Sequence, residues 1–561
     1  MRFDTYATFE VMHGRKSATQ ELILRLKPYS RESILYLCSA IGIILRLWRG
    51  EEDHTHYELL IRAVFEPLRA DWYCLSPRTT TRDIVFHRRQ LLLIMKLAIE
   101  HCPEVGRDIF NEMPGPFGTI CLMANDQFHY SLLVSPAKSQ LIDRDKIMRV
   151  LTEFVAVTEY GGSRGERRIV RSHLMITDHV NRLRQDPDFV DIAAEFENHV
   201  HISLEDYEAL AFGLFSRCAN LGLSALQKDS WVAAVREENF YTTALSHEVI
   251  KRFISELNIF PAQAVTRIHS RDFGANDFTV FRDKPLLVER YGMLAADILF
   301  LLEKCESGPY WTVNNINRTI GNKLRRFWGR VFESYTNEQI AEAARQSGAL
   351  FIPDPRRADD ASVQLCDALL LEGDALVILE YKSSMFSAAA KYNGDHLGLL
   401  GQISRKLVRD EEAAKKKGVE QLADAVKQLF VDSGEMIVKG LDTSHVKRVY
   451  PLLVTLDDLG GSLLMSFLLN TYFDEFLRRE DFHSLSIRPL FCTDIETMEL
   501  ILPFGDILPL HGFLQHWLDA DEKLMATLQA YLPDRLPARS NQILESAWRI
   551  LSNRIEHKLF P

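Results

Sequence analysis

Residues 365–383 constrain this chain more than any other stretch, because they combine two apolar segments with a two-residue turn. Gly373-Asp374 suits a hairpin turn, since glycine accepts a positive φ at the first central position. The segment before the turn reads Ala-Leu-Leu-Leu-Glu and the segment after it reads Ala-Leu-Val-Ile-Leu-Glu. The sequence therefore predicts an apolar β-hairpin.

Counting outward from the turn gives the pairing of the two strands. Glu372 lies opposite Ala375, and the same count places Asp367 opposite Glu380. Side chains alternate between the two faces of a strand, so Glu380 and Lys382 share a face. Two carboxylates and an ammonium group are therefore expected to converge on one face of an otherwise apolar hairpin.

This charged cluster has two interpretations. Burying such groups costs several kcal/mol unless they are paired or hold a metal. The first is a structural role, as a buried ion pair or as a hairpin end open to water. The second is a divalent-metal site. Carboxylate oxygens suit Mg²⁺, and an adjacent lysine can orient or help deprotonate a water and offset charge in a transition state.

The arrangement of Asp367, Glu380 and Lys382 resembles the PD-(D/E)XK nuclease superfamily, in which an acidic residue opens one strand and an acid-x-lysine ends the next. Cys366 stands where the superfamily's name has a proline. The resemblance spans about residues 318–505 and implies an α/β restriction-endonuclease-like domain with a mixed central sheet.

The same resemblance assigns roles to further residues. It implies that Glu333, on a helix before the hairpin, completes a metal shell directly or through water. It implies that Gln421, on a helix after the hairpin, orients a water or a phosphate. Asp367, Glu380 and the backbone carbonyl of Tyr381 would hold one or two Mg²⁺ or Mn²⁺ ions.

Length and composition fit a soluble protein of several domains. The chain has 561 residues and a net charge of −11, which argues against a generally basic surface but allows a local basic channel. We expect a multidomain α+β protein. Its segments are a helical sensor or interaction region at 1–230, a bridging segment at 231–317, the nuclease-like domain at 318–505 and a helical tail at 506–561.

Several local patterns give predictions outside the hairpin. Helical periodicity covers 55–70, whereas 119–134 is compatible with a hairpin. Residues 277–288 and 308–313 are expected to be extended. The apolar segment Ser33–Trp48 contains Arg46 and is shorter than the ~20 residues of a membrane span, so it predicts a buried helix.

Two groups of basic residues are candidates for contacts with nucleic-acid phosphates, the alternative being ordinary solvated charge. One follows a glycine turn and the other lies on the helix before the hairpin. The candidates are Arg164, Arg167, Arg168, Lys323, Arg325, Arg326 and Arg330.

Other features bound location and partners. The eight cysteines are scattered without a Cys-x-x-Cys pair, which predicts reduced thiols in a cytoplasmic protein. The N-terminus lacks a signal-peptide pattern, and no membrane partner is expected. No Walker-type phosphate loop is present, so any ATPase or sensor would be a separate subunit. Cutting a duplex usually takes two sites, which makes a homodimer plausible on functional grounds.

The resemblance leads to a metal-dependent endonuclease that cleaves DNA in preference to RNA. The architecture is similar to that of bacterial anti-phage defence or restriction effectors, in which a recognition region carries a nuclease domain. Two alternatives remain open. One is a catalytically inactive nuclease-like binding or scaffold subunit of a larger complex, and the other is a metal-dependent nucleotide hydrolase.

Overall fold

A computed structural model describes most of the chain. It covers residues 5–46, 83–112, 115–128, 144–161, 165–226, 231–240, 243–271, 273–431, 438–478, 482, 485–519 and 539–560. The helix predicted at 55–70 and the candidate Arg164 lie outside these ranges.

Helices dominate the chain up to residue 347. They are Phe9–His13 (α1), Thr19–Leu26 (α2), Arg31–Arg46 (α3), Arg88–His101 (α4), Gly115–Asn125 (α5), Arg144–Gly161 (α6), Glu166–Leu174 (α7), Ile192–Val200 (α8), Leu204–Ala219 (α9), His247–Leu257 (α10), Pro261–Arg271 (α11), Thr279–Asp283 (α12), Ile298–Glu306 (α13), Gly308–Asn314 (α14) and Arg318–Ser347 (α15). A π-helical turn at Met175–His179 and a last turn at Val180–Arg182 continue α7.

Helices also follow the predicted hairpin. They are Ala388–Tyr392 (α16), His396–Ile403 (α17), Gly418–Phe430 (α18), Leu463–Leu477 (α19), Ile495–Ile501 (α20), Leu510–Asp519 (α21) and Gln542–Leu559 (α22).

The strands form one large sheet and several small ones. They are Thr5–Tyr6 (β1), Asp83–Ile84 (β2), Asn258–Ile259 (β3), Leu286–Glu289 (β4), Gly292–Ala295 (β5), Leu350–Pro353 (β6), Ala368–Glu372 (β7), Ala375–Lys382 (β8), Arg409–Asp410 (β9), Lys415–Lys416 (β10), Arg448–Thr455 (β11), Ser486–Ile487 (β12) and Phe491–Asp494 (β13).

The large sheet is mixed, as expected. Within the described residues it has six strands, in the order β12-β11-β8-β7-β6, with β13 also paired to β11. Strands β6, β7 and β8 form an antiparallel meander, whereas β8, β11 and β13 run parallel. Because parallel strands end at the same edge, the carboxyl ends of β8, β11 and β13 lie side by side. The protein is thus a mixed α+β structure.

Both faces of the large sheet are covered by helices. Leu370 and Leu379 belong to a core that the sheet shares with the N-terminal helices, and Leu369 and Ile378 belong to a second core on the opposite face. Ile147 of α6 lies in that second core. Helix α6 packs against α19, which itself lies on the sheet, and against α16 and α17, so the packing crosses the boundary that the sequence suggested at residue 230.

The predicted buried helix is present as α3, whose apolar side chains are almost completely buried. Its burial follows from an apolar surface that extends around most of the helix, as expected for a helix inside a protein. Among the residues that the structure describes, no helix has both the length and the apolar composition needed to cross a membrane.

Three extended predictions were wrong in whole or in part. Residues 119–125 belong to helix α5, whose side chains are apolar on every side and so show no helical period. Residues 308–313 were expected to be extended, but proline suits the first turn of a helix and Pro309 lies in the first turn of α14. Asp277 accepts the amide hydrogen of Thr279 at the start of the short helix α12, so only the end of 277–288 is a strand.

Candidate active site

The hairpin forms with the predicted register. Leu371 pairs with Leu376 and Glu372 with Ala375 in the antiparallel ladder of β7 and β8. Gly373 has φ +65°, the left-handed conformation that the turn requires and that glycine adopts without a steric cost. The turn therefore fixes which residues of the two strands face each other.

Asp367 lies just before β7 and is bound to β8 through its backbone and its side chain. Its amide nitrogen donates to the carbonyl of Leu379 over 3.1 Å. Its Oδ2 accepts the amide hydrogen of Tyr381 over 2.6 Å. The N–H and C=O groups of one strand residue point to the same neighbour, so the Tyr381 carbonyl also points to the Asp367 side of β8.

Glu380 and Lys382 share a face, as predicted. The Nζ atom of Lys382 lies 2.5 Å from Oε1 of Glu380. The Glu380 side chain is 1% exposed, and its Oε2 has no hydrogen-bond partner in the described part of the chain. A buried carboxylate oxygen without a donor is costly, so this atom can accept a further ligand.

The electrostatics of the cluster follow from burial and from the proximity of like charges. Burial raises the pKa of Glu380 to about 7; the Lys382 ammonium opposes this rise, and the Asp367 carboxylate adds to it. Burial also raises the pKa of Asp367, against the effects of Lys382 and the Tyr381 amide. Burial alone would lower the pKa of Lys382, but the carboxylates of Glu380 and Asp367 raise it. The lysine is therefore an ammonium group at neutral pH.

Helix α15 brings Glu333 to this cluster. Its side chain is half-buried, and burial raises its pKa to about 7, with further contributions from Asp367 and Asp354. The helix is held against β8 by Tyr381, whose hydroxyl donates to Oδ1 of Asn337 over 3.0 Å. The predicted proximity of Glu333 to the hairpin carboxylates is thus present.

Gln421 lies in the first turn of α18, which packs on β8. A Cβ atom added at Gly418, the first residue of this helix, would lie 3.3 Å from Cε of Lys382. The helix therefore begins beside the lysine, and glycine is needed mainly because of Leu453, whose Cδ1 atom would lie 2.7 Å from the added Cβ. The Gln421 side chain is half-buried and makes no hydrogen bond with the cluster among the described residues.

Asp354 is a carboxylate that the sequence analysis did not assign. It follows β6 directly, and its amide nitrogen donates to the carbonyl of Asp367 over 2.9 Å. Its charge raises the pKa values of both Asp367 and Glu333. Extending the strand pairing to β6 would have predicted its position. Pro353 pairs with Ala368, so the next residue, Asp354, follows opposite Asp367.

The basic residues of α15 are partly engaged within the chain. Arg326 forms two hydrogen bonds with Asp188, of 3.1 and 2.7 Å, and Arg330 pairs with Asp186 and Asp188. Arg325 donates to Oδ1 of Asn314 over 2.7 Å and to Asn322. Lys323 is half-buried and makes no ion pair within the described ranges.

Arg168 is not on a phosphate-binding surface, which corrects the sequence prediction. Its side chain is 10% exposed and forms ion pairs with Asp458, at 2.9 Å, and with Glu496. These partners follow β11 and β13, so the arginine anchors α7 to the edge of the sheet. Arg167, one residue earlier, is exposed. Of these arginines, Arg168 is therefore buried in contacts within the protein, whereas Arg167 lies on the surface.

The chemistry of the donors suits a hard divalent cation. The buried Oε2 of Glu380, the Asp367 carboxylate and the Tyr381 carbonyl are oxygen ligands of the kind that Mg²⁺ and Mn²⁺ take. As the side chains stand, no group of three or more His, Cys, Asp or Glu residues in the described ranges is drawn together as a ligand set. One oxygen of Glu380 is held by Lys382 and one of Asp367 by Tyr381.

Comparisons with family models, with curated proteins and with solved structures gave no match for this chain.

Proposed function

We propose that the chain is a metal-dependent nuclease that hydrolyses phosphodiester bonds, with DNA preferred to RNA as its substrate. The observation that carries the proposal is the buried Glu380, which is paired on one oxygen with Lys382 and, among the residues that the structure describes, has no donor on the other. An apolar hairpin has no structural need for this pair, because hydrophobic residues of similar volume are often as stabilising.

The order of the elements supports a restriction-endonuclease-like domain of the PD-(D/E)XK superfamily. Helix α15 precedes the meander β6–β7–β8, helix α18 follows it, and β11 then returns parallel to β8. The acidic residue lies before the second strand of the meander and the acid-x-lysine ends the third. Helix, hairpin, helix and parallel strand thus occur in the order that the resemblance implies.

Three groups would hold Mg²⁺ or Mn²⁺ in this site. They are the Asp367 carboxylate, the Glu380 carboxylate and the Tyr381 carbonyl, with Glu333 completing the shell directly or through a water. A divalent cation bound there polarises the scissile phosphate and lowers the pKa of a bound water.

The side chains around the cation-binding groups divide the remaining tasks. Lys382 keeps its proton, because the surrounding carboxylates raise its pKa, and it positions the attacking water or offsets the charge that develops on the phosphate. Gln421, one turn into α18, orients a water or a phosphate.

The N-terminal helices would act as a sensor or as a contact for a partner. Helix α6 packs on α16, α17 and α19, and Arg168 joins α7 to the sheet edge where β8 also ends. A change in these helices can therefore reach the site through direct contacts. This arrangement suits an effector of anti-phage defence or restriction, acting as a homodimer or with a separate ATPase or sensor subunit.

The test is a cleavage assay with plasmid, linear duplex, single-stranded DNA and RNA in the presence of Mg²⁺, Mn²⁺ or EDTA. The variant is Lys382→Ala, and its matched control is Lys439→Ala at an exposed position. We expect metal-dependent cleavage that is lost in the first variant and retained in the second. Cleavage by Lys382→Ala at the native rate would overturn the assignment. Metal-dependent release of phosphate from nucleotides, without polymer cleavage, would instead indicate a nucleotide hydrolase.

A further inference from the structure

A cavity of about 310 Å³ lies between the second half of α15 and the start of α22. One wall is a stripe of α15 that runs from Gln339 to Gln346, since residues three and four positions apart share a helix face. The chain that enters α22 forms the opposite wall, and none of the described residues that line the cavity belongs to the hairpin. Its volume lies at the lower end of the range for small-molecule sites.

Gln339 presents a buried donor at this cavity. Its side chain is 2% exposed, and its Oε1 accepts a hydrogen bond of 2.7 Å from Nδ2 of Asn541, which lines the cavity as well. The Asn541 oxygen accepts the amide hydrogen of Leu544, so the orientation of both side-chain amides is fixed. The Nε2 atom of Gln339 has no acceptor among the described residues. A buried amide nitrogen without an acceptor is costly, so a ligand in the cavity can supply one.

The N-terminus of α22 contributes further donors to the same cavity. This helix has 18 residues, and the first amide groups of any helix have no acceptor within it. Asn541 accepts the amide hydrogens of Leu544 and Glu545 through its side chain and its carbonyl. The amides of Gln542 and Ile543, which line the cavity, make no hydrogen bond within the described ranges. The positive end of the helix dipole therefore favours an anionic group here.

The charges around the cavity also favour an anion. The guanidinium of Arg539 uses one nitrogen, NH1, to pair with Asp506, and its other nitrogens have no acceptor in the part of the chain that the structure describes. The carboxylate of Glu342, on the opposite wall, already accepts two hydrogen bonds from Arg345 and one from Gln346. The cavity is therefore lined by donors that lack acceptors, whereas this carboxylate is neutralised.

We propose that this cavity binds a phosphate monoester of a small hydroxylated molecule, such as a sugar phosphate. The phosphate oxygens accept hydrogen bonds from the amides of Gln542 and Ile543. Arg539 and the Nε2 atom of Gln339 provide the remaining donors. Polar side chains such as that of Ser540 suit the hydroxyl groups, and no aromatic side chain among the described lining residues offers a stacking surface for a nucleobase. This inference is independent of the proposed nuclease function.

The test is isothermal titration calorimetry on the full chain, with EDTA present so that no divalent cation brings phosphate to the hairpin. The probes are ribose phosphate, glycerol phosphate, adenosine monophosphate, inorganic phosphate and citrate. The variants are Gln339→Leu, which removes the buried donor, and Arg539→Gln, which removes an exposed cation and leaves the core unchanged. The matched control is Arg554→Gln, which removes a half-exposed arginine of α22 that does not line the cavity.

We expect ribose phosphate or glycerol phosphate to bind equally well to the wild type and to Arg554→Gln. In Gln339→Leu and Arg539→Gln the affinity should fall by about tenfold or more, because each change removes a donor to a charged group. Affinity unchanged in both variants, or no binding of either ester, would overturn the proposal. Binding of adenosine monophosphate alone would assign the cavity to a nucleotide instead. Binding of inorganic phosphate or citrate alone would reduce it to a site for a free anion.

Discussion

The amide nitrogen of Tyr381 lies 2.6 Å from Oδ2 of Asp367, so the carboxylate that opens the hairpin ladder is held by the backbone of the opposite strand. This contact fixes Asp367 beside the strand that bears Glu380 and Lys382. It also directs Oδ2 to the backbone, whereas Oδ1 accepts a long hydrogen bond of 3.4 Å from Nε2 of Gln364. The hydrogen bond therefore both stabilises the hairpin and positions the Asp367 carboxylate, and substitutions can separate these two effects.

Asp367→Asn and Asp367→Ala should differ in stability although both should lose metal-dependent activity. Both remove the charge, but only asparagine keeps an oxygen that can accept the Tyr381 amide hydrogen. We expect Asp367→Ala to unfold with a free energy about 1–3 kcal/mol lower than that of Asp367→Asn, because the amide loses its acceptor. Urea denaturation measures the difference. Equal stability of the two variants would show that the hydrogen bond contributes nothing.

Lys382→Ala should make the stability of the protein more dependent on pH. Without the ammonium group, the pKa of Glu380 rises further above about 7. The folded state then holds its proton more tightly than the unfolded state, so the free energy of unfolding falls as pH rises from about 4.5 through the folded pKa. We expect a loss of about 3 kcal/mol at pH 8.5 and a much smaller loss at pH 5.5.

Denaturation curves at these two pH values, together with the double variant Lys382→Ala/Glu380→Gln, provide the control. The glutamine cannot ionise, so the double variant should lose the added pH dependence. A pH dependence that persists in the double variant would assign the effect to another group.

Arg171 and Glu499 form a buried pair that joins α7 to α20, and breaking it should be costly. Their side chains are 5% and 0% exposed, and a guanidinium nitrogen of Arg171 lies 2.9 Å from Oε2 of Glu499. The Tyr335 hydroxyl donates to the same glutamate over 2.6 Å. We expect Arg171→Met to lower the free energy of unfolding by about 3–5 kcal/mol, since it leaves a buried carboxylate without its cation. Thermal or urea unfolding measures the loss.

An exposed pair supplies the control for that prediction. Arg549 and Glu545 lie 3.1 Å apart on the surface of α22, and Arg549→Met should cost less than about 1 kcal/mol. The double variant Arg171→Met/Glu499→Met should recover much of the loss. If the double variant is as unstable as the single one, the pair contributes packing rather than charge compensation.

Asp494→Asn should flatten the pH dependence of stability. Burial raises the pKa of Asp494 to about 7, with added repulsion from Glu496 and Asp458. The folded wild type binds this proton more tightly, so its free energy of unfolding falls between about pH 4 and pH 7 by an amount on the order of 3–4 kcal/mol. Asparagine does not titrate and still caps α20. The exposed Asp519→Asn should keep the wild-type slope.

Lys391→Met should loosen the segment that follows Lys382. Lys391 of α16 is buried between Asp457, at 3.1 Å, and Glu159 of α6, at 3.6 Å. Removing the ammonium group frees α16 and α17 from both partners. We expect faster amide hydrogen exchange in 388–403, measured by mass spectrometry, with Mn²⁺ binding retained. Exchange as slow as in the exposed control Lys439→Met would contradict this link.

The sequence alone determined the hairpin and the face on which its charges meet. Gly373 set the turn, and counting back from it gave the strand pairs that the structure shows, beginning with Glu372 and Ala375. Alternation then placed Glu380 and Lys382 together. These predictions succeeded because strand period and turn geometry are local properties of the chain.

Helix α5 shows where the local signal fails. Its side chains are apolar on every side, so neither a helical nor a strand period can be read from them. Periodicity carries information only where one face of an element meets water. Segments that are buried on all sides are therefore assigned by their tertiary surroundings.

Only the tertiary structure decided which charged side chains are paired within the protein and which lie close together. Arg168 looked like part of a surface loop, yet its partners Asp458 and Glu496 lie 290 and 328 residues away in the chain. Asp354 looked like part of a polar loop, yet the meander places it beside Asp367. The pairing of charges depends on three-dimensional proximity, and no period of the sequence encodes contacts over such separations.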